Sequence, residues 1–158
     1  MLRCSMGLAI APEETMNKLH FSIDIAAPRG RVWDVLWADE TYRDWTSVFS
    51  AGSCAVSDWN EGSTVQFLDS ASRSGMSAVI EKKRTGEFMS FRHEAEVMNG
   101  QVQPPAEWAG AHENYTLTTN GAGTTLSVDL DTVDEQRQMF ESMFPRALQR
   151  VKTLAETK

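Results

Sequence analysis

Apolar residues recur at helical spacing near the end of the chain. Met139, Phe140, Met143, Phe144, Ala147, Leu148, Val151 and Leu154 fall on one broad face at about 100° per residue. The spacing predicts a helix from Asp134 to Thr157, about 36 Å long at ~1.5 Å per residue. Asp134 and Glu135 complement the positive end of its dipole, and Arg146, Arg150 and Lys152 the negative end. Pro145 cannot donate to the carbonyl of Glu141 and crowds that turn, which predicts a bend or a break near Phe144.

The rest of the chain follows a different period. Leu19, Phe21, Ile23 and Ile25 alternate with His20, Ser22 and Asp24, the pattern of a strand with one buried face. Pro28 then suits the first turn of a helix that turns Val32, Trp33, Leu36 and Trp37 inward, and a second short helix is expected over Asp39 to Trp45. From Val48 to Asn120 the runs are short, alternating and separated by turn-forming residues, as in an antiparallel meander. Strands are expected near Ser53 to Asp58, Thr64 to Asp69, Met76 to Lys83, Phe88 to Val97, Glu113 to Asn120 and Thr124 to Asp131. Met98 to Ala111, rich in Pro and Gly and carrying Trp108, reads as a long irregular loop of the kind that forms lids.

The predicted fold class is α+β: a seven-stranded antiparallel sheet wrapped around a long C-terminal helix, with two short helices after strand one closing one end. Residues 1–16 read as a tail and 17–158 as a single domain, with Met16 a candidate functional start. The full 158 residues suffice for one core without metals or disulfides. A net charge of −7 without a basic cluster disfavours nucleic acid. The opening apolar run, interrupted by Gly7 and Pro12, is too short for a signal or membrane segment, so no membrane insertion is expected. Cys4 and Cys54 have no zinc-site spacing, and a reducing cytoplasm is the simplest compartment.

Element order and the stretches PRGRVWDVLWADETYRDWTSVF, SDWNEGSTVQFLD, EFMSFRH, WAGAHENYTLT and MFPRALQRVKTLAE together resemble the START-like, or SRPBCC, helix-grip superfamily. Within it, the chain looks most like the branch related to the activator of the ninety-kilodalton heat-shock-protein ATPase. The likeness runs from about Asn17 to Glu156. It implies a cavity between the sheet and the terminal helix, and the superfamily includes hydrophobic-ligand carriers, aromatic-polyketide cyclases and co-chaperone domains. The Cys-His pairs that hold the cluster of Rieske members are missing from this sequence, so the resemblance implies no cofactor and no metal.

His93 is the most unusual candidate. If Met89, Phe91, Ala95 and Val97 face inward, parity places His93 among them, as a polar anchor in a pocket or as a neutral core histidine. Arg92, Glu94 and Glu96 have the opposite parity and read as a solvated face. Asp129 and Asp131 should point away from His93, because Leu126, Val128 and Leu130 take the inward positions, so a neutral imidazole is expected. Tyr115 shares its face with Leu117, and a catalytic pair of His93 with Tyr115 is conceivable on separate strands. The chain has eight methionines; Met76, Met89, Met139 and Met143 could line an adaptable cavity or simply fill the core. Trp108 reads either as a gate or as a structural plug, and Ala147 as the cavity floor or a point of close backbone packing.

The expected ligand-binding set is Phe67, Met76, Met89, Phe91, His93, Trp108, Tyr115, Phe140, Met143 and Ala147. There is no phosphate loop, nucleophile elbow or His-Glu-x-x-His run, and no catalytic residue is assigned. The leading expectation is binding of a small apolar or amphipathic molecule. Its rivals are a co-chaperone-like interaction module, which would have a filled core and a protein partner such as a chaperone, and a cyclase- or hydrolase-type enzyme, which would need converging polar groups with shifted pKa.

Overall fold

The computed structural model describes residues 16–157. Strand β1 (Met16–Ile25) buries Leu19 and Ile25 and is followed by the short helices α1 (Arg29–Trp37) and α2 (Asp39–Thr46). The meander comprises β2 (Ser53–Val56), β3 (Thr64–Asp69), β4 (Ser74–Arg84), β5 (Phe88–Met98), β6 (Gln101–Pro105), β7 (His112–Asn120) and β8 (Gly123–Val133). Helix α3 (Asp134–Glu156) ends the fold. Seven strands run in the spatial order β1-β8-β7-β5-β4-β3-β2, all antiparallel, with β6 paired beside β5. The expected α+β architecture of a curled sheet, two short helices and a long terminal helix is therefore the observed one. Residues 1–15 of the expected tail lie outside the described residues, while Met16 opens β1 opposite Val133.

Two local expectations need correction. The segment after Met98 begins as a hairpin rather than an irregular loop, because Asn99 and Gly100 adopt φ of 52° and 83° and bring Met98 opposite Gln101. An Asn-Gly pair with both residues at positive φ is the favoured two-residue hairpin turn. Pro104 and Pro105 are tolerated in β6 because it lies off the main strand path and carries few ladder bonds. The second correction is at Pro145: of the bend or break expected there, the break is absent and α3 continues through the proline. One backbone bond is lost there, but Phe144, Ala147 and Leu148 on either side are buried and hold the helix against the core.

The packing of α3 is uneven, and this asymmetry makes room for a site. All its fully buried residues lie from Phe144 onward, where it packs against β1, α1 and α2. Phe144 stacks on Phe21 with ring centroids 5.1 Å apart and meets Phe49 edge-on at 5.0 Å. The first half of the helix, up to Met143, contributes no buried residue and stands off from the sheet.

Candidate functional site

Beneath that first half of α3 is a cavity of about 360 Å³, bounded by the sheet, the two short helices and the turn that carries Trp108. Its size falls within the usual range for a small-molecule site. Trp37 and Tyr42 come from the helical corner, Phe67 and Met76 from β3 and β4, and Met139 and Phe140 from α3. The Trp37 ring lies 5.0 Å from Tyr115 and 5.4 Å from Phe91 in edge-on contacts. Phe67 lies 5.1 Å from Phe91 and 5.8 Å from His93.

Strand register supplies the polar part of the wall. In the β5–β7 pair, Phe91 faces Glu113 and Met89 faces Tyr115, so alternation puts Glu113 and Tyr115 on one inner face. His93 continues that face where β5 runs past the end of β7. Its N–H donates to the carbonyl of Ala111 and its carbonyl accepts from the N–H of Gly110, each at 2.8 Å. These bonds tie the Trp108 turn to the same residue that carries the imidazole. Gly110, with φ of 96°, takes the left-handed conformation that this return requires.

The result is a three-residue polar cluster. His93 Nε2 lies 2.9 Å from Glu113 Oε1, and the Tyr115 hydroxyl donates to Glu113 Oε2. An ionised carboxylate only accepts, so the histidine proton in this contact is on Nε2. Burial pushes the Glu113 carboxyl up, but the hydrogen bond and charge of His93 and the hydrogen bond from Tyr115 outweigh it, and the group is held below its ordinary value. Burial, reinforced by the Glu113 charge, pushes the Tyr115 phenol well up, and the same two causes raise Tyr42.

Two atoms in the wall have no protein partner: His93 Nδ1 and Trp37 Nε1. Their residues are 5% and 8% exposed. By contrast, the neighbouring Trp45 Nε1 donates to the Leu36 carbonyl at 3.1 Å. A buried donor or acceptor left unpaired is costly.

Of the residues singled out in the sequence, the structure brings Phe67, Met76, His93, Trp108, Tyr115 and Phe140 to the cavity wall. Met89 and Phe91 are each 1% exposed and pack in the core behind that wall. Met143 is half-buried on α3 but does not line the cavity, which along this helix ends at Phe144. Ala147 lies one turn beyond and is fully enclosed, so it marks close packing and not a cavity floor. Asp129 and Asp131 do bond elsewhere, with His20 at 2.6 Å and Lys18 at 2.8 Å. The carboxylate that reaches His93 is Glu113, a contact the sequence reading omitted. Its signal was parity, since Glu113 alternates in phase with Tyr115 and Leu117. Trp37 was assigned to packing alone.

A second hollow, of about 590 Å³, lies on the opposite face of the sheet. Its charged groups pair with one another, Lys18 with Asp131 and His112 Nε2 with Glu81 at 2.7 Å, as expected of a solvated ladder. Among the described residues no His, Cys, Asp or Glu cluster is arranged to hold a metal ion, and no helix is long and apolar enough to cross a membrane.

Curled sheet and long terminal helix are consistent with a helix-grip fold. No protein-family model and no curated protein matches the chain. Solved structures do share the fold. The Aha1 dimer from Colwellia psychrerythraea superposes with a TM-score of 0.68 at 17% identity, over 89% of this chain and 96% of that one. Protein CV1439 from Chromobacterium violaceum gives 0.66 at 15% identity, over 90% and 99%. CalU16 from Micromonospora echinospora gives 0.60 at 15% identity, over 87% and 75%.

Proposed function

We propose that this protein binds a small apolar or amphipathic molecule in the cavity between the sheet and α3. The observation that carries this reading is the coexistence, in one cavity of about 360 Å³, of an aromatic wall with a small polar cluster, His93, Glu113 and Tyr115. Apolar surface supplies the affinity, and a few fixed polar groups orient the guest. Titration with the neutral naphthalene dye prodan tests it. One equivalent should bind with a blue-shifted emission. Met76→Trp, which puts a larger ring into the space opposite Phe67, should abolish the signal while the protein still melts cooperatively. A dye that never binds, or binds the filled variant equally well, contradicts the proposal.

A second reading has its own support. His93, Glu113 and Tyr115 converge in the cavity, and the Glu113 and Tyr115 pKa values are shifted, which favours acid–base chemistry on a bound molecule. The interaction-module reading draws on the likeness to the Aha1 dimer and on the exposed Met98 and Val102 of the β5–β6 hairpin. It ranks below ligand binding because the module was expected to have a filled core.

A further inference from the structure

The sign of charge inside the cavity narrows the kind of guest it can take. Glu96, Glu113 and Asp131 contribute carboxylates to its lining, and neither lysine nor arginine contributes a side chain. Asp131 is already engaged by Lys18, which reaches it from the outer face at 2.8 Å. Glu96 is exposed at the rim, leaving Glu113 as the interior carboxylate, with His93 beside it. The Glu113 side chain is 24% exposed. Each of its oxygens accepts one protein hydrogen bond and keeps a lone pair for another donor.

We infer that the guest of this cavity is a hydrophobic organic cation, an amine protonated at neutral pH. The inference rests on the cavity being a ligand site, as proposed above. The ammonium group would donate to Glu113. The faces of Trp37, Phe67, Trp108 and Tyr115 surround the same space, and aromatic faces attract a desolvated cation. A carboxylate guest meets the opposite situation: it would bring a second negative charge toward Glu113, with no lysine or arginine in the lining to receive it. The net charge of −7 also favours the approach of cations.

Three molecules of nearly one shape separate the possibilities: naphthylmethylamine, naphthylmethanol and naphthylacetate, titrated calorimetrically into the full chain at neutral pH. The amine should bind tightest and the carboxylate weakest, with at least about tenfold between them. Glu113→Gln should erase the advantage of the amine over the alcohol. If that variant does not fold, the order in the wild type still decides. Met76→Trp leaves every surface carboxylate in place and should abolish amine binding, so persistence of binding in that variant would place the amine on the surface and overturn the inference. Equal affinity for all three, or preference for the carboxylate, would also overturn it while leaving the cavity reading intact. Failure of all three, and of prodan, would remove the cavity reading itself.

Discussion

His93 Nε2 and Glu113 Oε1 meet at 2.9 Å across the gap between β5 and β7, twenty residues apart in sequence. The contact gives the cavity a fixed acceptor and holds the imidazole so that Nδ1 is left without a partner. Because Glu113 titrates below its ordinary value in the folded protein, it contributes stability that is present above about pH 4.5 and lost as the pH falls through the folded-state value. Denaturant unfolding of wild type and Glu113→Gln should therefore show a gap at neutral pH that closes below pH 4.5. A gap that widens on acidification would mean that the carboxyl is destabilised in the fold.

Tyr115→Phe removes the hydroxyl donor from Glu113 and leaves the aromatic ring in place. A hydrogen bond to a charged group contributes about 1.5–3 kcal/mol, so a loss of that order is expected in the unfolding free energy. The Glu113 carboxyl should then titrate higher, which can be followed by carboxyl NMR.

His93→Phe would have been a gentle change in a purely apolar wall. With Glu113 beside it, the variant strands a carboxylate and should lose about 1–3 kcal/mol of stability. Most of that loss should vanish when the substitution is made in the Glu113→Gln protein, and a double-mutant cycle measures the coupling directly. No coupling would mean that the two side chains do not interact in solution.

Ala147→Phe, which would block ligand entry if Ala147 were the cavity floor, instead forces a ring into a fully enclosed position. Overpacking of this kind costs about 1–3 kcal/mol. The expected result is a lower melting temperature with prodan affinity unchanged wherever the fold persists.

Element types and order were legible because the sheet buries one face and α3 its C-terminal half, so period two and period 3.6 stand out in the sequence. The Asn99-Gly100 turn was equally legible, but the prolines that follow drew the reading toward a loop. Parity located His93 and Tyr115 on the inner face, and the same parity extends to Glu113. What the sequence could not supply was distance between strands. His93 lies beyond the last β5–β7 pair, Arg92 with His112, and only the fold shows that its ring still reaches Glu113. Nor could spacing along α3 show that the helix seals the core from Phe144 onward and stands clear before it.

The most direct test of the cavity as a ligand site is an NMR titration of the full chain with neutral naphthylmethanol, following indole and backbone N–H signals. Binding in the cavity should shift the indole signals of Trp37 and Trp108 in a saturable way and leave the amides of Met98 and Val102 on the β5–β6 hairpin unchanged. Shifts confined to that hairpin, or no shift at either tryptophan up to the solubility limit of the alcohol, would contradict it.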